Sequence, residues 1–180
     1  MKKYELTTNA TVFDGKTLYQ IRALASFGDV HAGDFGGYIE KEDNLSQAGT
    51  ARVSGNAWVF DNARVFDNAL VSDNAQVSGN ARVYGNARVY GTAWVSDNAW
   101  VSGDTDYLTI GPIGSRGDTT TFYRRRDGVT MVVCGCYHDT IDAFEARVKE
   151  VHHGTSHEAA YLAAVACARA RVRTKPEEEA

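Results

Sequence analysis

Apolar and polar positions follow a six-residue rhythm from Gly49 to Ser102. Nine hexads run without insertion: GTARVS, GNAWVF, DNARVF, DNALVS, DNAQVS, GNARVY, GNARVY, GTAWVS and DNAWVS. Ala at the third position and Val at the fifth are two residues apart, so an extended chain sends both to one side. The residue between them points outward, as does the Ser, Phe or Tyr that closes the hexad. The Gly/Asp–Asn/Thr pair then turns a corner, because these residues accept left-handed backbone. A fixed short period is the mark of a solenoid. Three hexads make an 18-residue coil, so this stretch predicts three coils of a triangular β-helix that rises about 4.8 Å per coil. The nine valines from Val53 to Val101 form its predicted core.

The pattern changes on both sides. Lys16–Leu24 alternates like a half-buried strand, and Asp14-Gly15 before it is a turn signal, so Tyr4–Phe13 is expected to pair with it as a hairpin. Residues 1–36 are therefore read as an N-terminal β cap over the end of the solenoid, which would otherwise expose apolar core and open strand edges. Two degenerate hexads follow, Gly37–Glu42 with Ile39 inward and Asp43–Ala48 with Leu45 inward, so the β-helix is expected over 37–106. Residues 107–173 read as a compact α/β module. It has strands at Tyr107–Ile110, Thr119–Arg125 and Val129–Cys136, the last two joined at Asp127-Gly128. A helix capped by Asp139 or Thr140 places Ile141, Phe144, Val148 and Val151 on one face, and a second begins at Thr155 or Ser156 with Leu162, Val165 and Val172. The tail 174–180 is expected to be frayed. The fold class is thus mainly β: a triangular hexapeptide-repeat β-helix with an N-terminal β cap and a small C-terminal α/β module.

Stacking residues 18 apart predicts which outward side chains become neighbours. Trp58, Phe60 and Trp94 fall on one side of the prism, and Phe66, Tyr84 and Trp100 on another. Exposed aromatic patches of this kind mark self-association or partner surfaces; the plainer reading is that arginine stems and tyrosine rings merely cover strands.

Composition narrows the classes. The net charge of −4 over 180 residues is spread evenly and gives no general attraction to nucleic acid or acidic membrane. Three cysteines, an odd number, argue against a disulfide framework. The sequence shows no signal peptide and no long apolar run, so a cytoplasmic protein without membrane association is expected.

Candidate chemistry is sparse and lies mostly in the last third. The loop Gly111–Gly117 combines glycines, which bare backbone N–H groups, with Ser115 and Arg116. With Thr119, Thr120, Thr121, Arg124, Arg125 and Arg126 it has the elements of an anion or nucleotide cradle. No Gly-Lys-Ser/Thr follows, so it is not a Walker loop, and a solvated turn is the plainer reading. Cys134, Cys136 and His138 at alternate strand positions would share a face, with His152 or His157 as a fourth metal ligand, or with His152 as a helper to a catalytic thiol. The spacing is not a familiar zinc pattern, and small buried hydrophobes are the plainer reading. His152 also belongs with the loop as a candidate binding residue, whereas His31 in the cap reads as solvated. Nothing calls for a metal or cofactor.

The repeats resemble two families. An aliphatic residue followed four positions later by a small one, as in Val53 to Ala57, resembles the left-handed hexapeptide-repeat proteins and favours that hand. The NAxVxG pattern also resembles bactofilin-like polymer-forming proteins, whose helix is right-handed. The acyltransferases of the hexapeptide group use a histidine general base near an extruded loop; the nine hexads here contain neither, so acyl transfer is not expected. GPIGSRGDTTTFYR, CGC and FEARVKEVHHG, with MKKYELT at the start and GGYIEKEDNLS in the cap, resemble phage and prophage proteins that join such repeats to a C-terminal module. That resemblance covers nearly the whole chain and supplies no catalytic residues. It implies a phage-encoded cytoplasmic protein. Together with the exposed aromatic faces it leads us to expect a non-catalytic, oligomeric binding protein that presents its module to a host macromolecule, such as a defence component. The rival expectation is a nucleotide-binding sponge that uses the GPIGSR loop.

Overall fold

The structure, a computed structural model, describes residues 2–174; the tail expected to fray lies outside them from Lys175 onward. The chain divides after Gly103 into two compact units.

The first unit is a β-solenoid of about four turns. Strands β1 (Tyr4–Phe13), β2 (Lys16–Ala23) and β3 (Phe35–Ile39) precede nine two-residue strands, β4 to β12. The nine are Arg52–Val53, Trp58–Val59, Arg64–Val65, Leu70–Val71, Gln76–Val77, Arg82–Val83, Arg88–Val89, Trp94–Val95 and Trp100–Val101. Parallel pairing at an 18-residue register, Val53 to Val71 and Val71 to Val89, builds three stacks. They are β4-β7-β10, β6-β9-β12 and β5-β8-β11. The alanines of all nine hexads are fully buried and the valines are at most 2% exposed, so the inward side of the repeat is as expected. At every corner the first residue has positive φ, Gly or Asp alike, for example Gly55 at 62° and Asp61 at 59°.

The N-terminal strands are not a body of their own. The β1–β2 hairpin and β3 prolong one stack, giving the order β1-β2-β3-β5-β8-β11. Ile39 pairs with Val59 and Leu45 bridges Val65, so both point inward as expected. The first coil nevertheless runs two residues out of step with the later ones. The extra length lies between Leu45 and Val53, and the chain uses it. There the Gln47 amide accepts the Lys3 N–H at 2.7 Å and donates to the Tyr4 carbonyl at 3.2 Å, substituting for a missing strand partner.

The second unit is a four-stranded antiparallel meander with two helices. Its strands are β13 (Tyr107–Ile113), β14 (Asp118–Arg124), β15 (Thr130–Cys134) and β16 (Tyr137–Thr140); α1 (Ile141–Val151) and α2 (Ser156–Arg171) follow. Phe122 and Val132 meet Ile141, Phe144 and Val148 of α1 and Tyr161, Val165 and Ala168 of α2 in one core. Thr140 and Thr155 cap the helices, each accepting a backbone N–H at 3.3 Å. Val151, expected on the buried face, is 52% exposed, because α1 ends there and the chain turns away. β16 was not expected: Gly135-Cys136 is a two-residue hairpin turn with Gly135 at φ 59°, not the end of one long strand.

Candidate functional site

Three of the expected solenoid aromatics do not form a free patch. Phe13 from the β1–β2 hairpin packs on Trp58 and Phe60 at ring distances of 5.0 and 5.7 Å, and Lys16 places its ammonium 5.6 Å from the Phe60 ring. Phe60 is only 4% exposed as a result, and Trp94 is half-buried. The second group does come together. Phe66 stacks on Tyr84 at 5.2 Å, Tyr84 meets Trp100 edge-on at 6.1 Å, and the Arg82 guanidinium sits 5.4 Å from Trp100. All three rings are half-buried, so the ladder is in large part structural.

The glycine stretch Gly111–Gly117 is mostly hairpin. β13 runs through Ile113, Gly114–Gly117 makes the turn, and the Gly117 N–H closes on the Gly114 carbonyl at 3.3 Å. Gly114, at φ 73°, lies so close to Tyr161 that a Cβ there would stand 1.8 Å from its hydroxyl oxygen. Glycine is thus required for α2 to seat Tyr161 under the turn, rather than to bare N–H groups for a phosphate.

This end of the sheet gathers several reactive side chains. The β15–β16 turn lies beside the β13–β14 turn, because Thr120 pairs with Cys134. The Arg116 guanidinium rests over Gly135, where a Cβ would come within 2.0 Å of it. It reaches the exposed Cys136 thiol, and that contact, ahead of Asp118, holds the guanidinium in its charged form. Behind it the Thr120 hydroxyl donates to the buried Cys134 sulfur at 3.3 Å, and that thiol approaches the Tyr161 oxygen at 3.7 Å. Burial foremost, then Cys134, pushes the Tyr161 phenol above its ordinary range, against the Ser115 N–H and Arg116, which lower it. His152 closes the rim, with ring distances of 5.5 Å to Tyr161 and 5.9 Å to His157.

Ser115, Arg116 and His152 are therefore brought together, with Thr120 beneath them and fully buried. Arg124 is not part of this group. It is 1% exposed and donates through Nε to the buried Asp106 at 3.0 Å, so its charge is spent inside the fold. Arg173 joins the same carboxylate at 3.2 Å and ties the end of the unit to its start. Arg126 lies in the loop at the opposite end of β14, about 20 Å of strand away from Arg116.

Nor do Cys134, Cys136 and His138 share a face. The hairpin turn interrupts the alternation: Cys134 faces the helices, Cys136 sits in the turn, and His138 bonds the Tyr123 hydroxyl at 2.8 Å. Among the described residues no group of three His, Cys, Asp or Glu side chains is placed to hold a metal. Tyr161 was missed from the sequence, although its spacing with Val165, Ala168 and Val172 marks the buried face of α2.

Among the described residues no helix is long and apolar enough to cross a membrane. Residues 63–79, 75–91 and 81–97 match the model of the YdcK beta solenoid repeat. The matches lie wholly within the coils and carry no information about the second unit. No curated protein matches the chain.

Proposed function

We propose that the chain is a non-catalytic binding and scaffold protein, in which the solenoid presents a recognition edge built from Ser115, Arg116 and His152. The observation that supports this reading is Arg116. Its side chain is 58% exposed, yet two hairpin turns position it, with the Cys136 thiol on one side and Asp118 at 3.9 Å on the other. A charged fork held at a rigid edge suits an anionic group on the surface of a macromolecule. An enclosed nucleotide suits it less, because the Gly117 N–H already bonds the Gly114 carbonyl and Tyr161 lies directly under the turn.

In this reading the chain is phage-encoded, works in the host cytoplasm, and takes a host protein, such as a defence component, as its partner. The ladder of Phe66, Tyr84 and Trp100 is the surface offered for self-association.

The test compares three proteins as bait in lysate of infected cells: the parent, Arg116→Ala, and a coil variant with Arg64→Ala and Arg88→Ala. One captured partner should be lost with Arg116→Ala alone, since removing a guanidinium that pairs with a charge costs roughly 2–5 kcal/mol of affinity. Loss with the coil variant, and retention with Arg116→Ala, would move recognition to the solenoid. A melting-temperature rise with a nucleotide would favour the sponge instead.

A further inference from the structure

The first unit carries a cleft that belongs to none of the features above. Two of the three inward columns are completed in the first coil, by Ile39 over Val59 and Leu45 over Val65. The third column ends at Val53. Where its next member would stand, β3 crosses with Gly36, whose missing side chain leaves room only for close backbone: a Cβ there would meet the Val53 carbonyl oxygen and Ile21 at 2.6 Å. Beside this crossing lies a cleft of about 320 Å³. Its floor is apolar and buried, formed by Tyr4, Ile21, Ala23, Leu45 and Val53. Protein interiors rarely leave such a volume open, and it falls within the size range of small-ligand sites.

Its wall is built rather than slack. Phe27 and Val30 exchange two backbone hydrogen bonds of 3.0 and 2.9 Å, and the Gly33 N–H returns to the Ala23 carbonyl at 2.8 Å. This loop brings Phe27, Asp29, Val30 and Asp34 to the mouth. The charges there do not balance. Asp29 is paired with Arg52 at 3.0 Å. Asp34 accepts the backbone N–H of His31 at 2.7 Å, with the His31 ring at 3.6 Å, and meets no lysine or arginine among the described residues. Lys3 directs its ammonium to the carbonyls of Ala51 and Ala48 at 2.8 and 3.4 Å, against the Phe27 ring, and Arg22 is paired with Glu5.

We propose that this cleft binds a small organic cation, an ammonium group on an apolar body. The body would lie on Ile21, Leu45 and Val53, and the ammonium at Asp34. A buried apolar floor supplies affinity and one uncompensated carboxylate supplies orientation, which is the usual division of labour in a small-ligand site. The site lies in the unit that does not hold Arg116, so it stands or falls apart from the recognition edge.

The probe is phenethylammonium, compared with phenylpropionate and phenylethanol, which present an apolar body of the same kind with a negative or neutral head. Titration of the full chain, followed by methyl NMR, should show saturable shifts at Val30, Leu45 and Val53 with the amine. Phenylpropionate should bind at least about tenfold more weakly. Asp34→Asn, at an exposed position whose amide oxygen still accepts the His31 N–H, should weaken the amine several-fold and leave phenylethanol unchanged. Ala23→Leu, which fills the floor, should abolish all three. Equal binding of amine and carboxylate, an Asp34→Asn variant that binds the amine like the parent, or no saturable shift with the amine would each overturn the proposal.

Discussion

The inward positions of the nine hexads hold two residue types, valine and alanine, whereas residues 104–174 bury an ion pair, three threonines and three tyrosines beside their aliphatics. The contrast reflects how each unit satisfies its backbone. In the solenoid every coil offers the next an identical set of N–H and C=O groups, so Arg52 bonds to Ala69 and Arg88 repeats the pairing of Leu70. Side chains there need only fill a narrow interior. The second unit closes a short meander with two helices, and its polar groups must find individual partners. Asp106 serves Arg124 and Arg173 together. A repeat tolerates change in register with its neighbours; a singular network does not.

The largest test of this contrast is Val77→Asp. Val77 is fully buried in the central coil, so an unpaired carboxylate there should cost more than about 4 kcal/mol and abolish the cooperative melt. A variant that melts like the parent would mean the inward register is wrong.

Next comes Asp106→Ala, expected to cost about 3–5 kcal/mol because it strands the buried Arg124 guanidinium. Arg124→Met combined with Asp106→Leu should recover much of that loss in a chemical denaturation series. If the single and double variants are equally unstable, the pair is not the organising contact.

A glycine comparison separates the units more finely. Gly91→Ala meets nothing within 4 Å and carries only the strain of φ 69°, about 1 kcal/mol. Gly114→Ala adds the collision with Tyr161 and should cost at least about 2 kcal/mol. Equal melting temperatures for the two would show that α2 does not press on the turn.

Lys3 provides a pH test of the first unit. Burial pushes its ammonium down to about 8 from 10.5. Between those values the unfolded chain binds more protons, so stability should rise with pH across that window and be lost again as pH falls through about 8. Lys3→Met should flatten that slope, whatever its offset; an unchanged slope would assign the pH dependence to another group.

The smallest effect concerns the corners. Asp and Gly alternate along each stack: Gly49, Asp67 and Gly85 in one, Asp61, Gly79 and Asp97 in another. The Asp67 carboxylate accepts the Gly85 N–H at 3.1 Å, and Asp61 accepts that of Gly79 at 3.2 Å. Alternation keeps carboxylates from stacking one strand spacing apart. Gly85→Asp should therefore melt lower than Gly85→Asn by an increment of up to about 1 kcal/mol that salt removes.

The repeat was legible in the sequence because each hexad meets the same surroundings. A valine at the fifth position and an alanine at the third face inward in all nine, and periodicity alone conveys that. Helical spacing narrowed the caps to Asp139 or Thr140 and Thr155 or Ser156, and the structure selects Thr140 and Thr155, whose partners lie three residues on. What the period could not convey is what crosses it. Phe60 reads as outward and is outward, but Phe13, forty-seven residues earlier, covers it. Arg124 reads as a strand-face cation and is buried, because Asp106 and the chain end converge on it. Arg116 reads as a loop arginine, yet its neighbours Cys136 and Tyr161 come from other elements. Local spacing determined the coils and their inward residues. Only the tertiary structure decided which charges are spent inside and which remain to act, because burial depends on contacts between residues that no short pattern links.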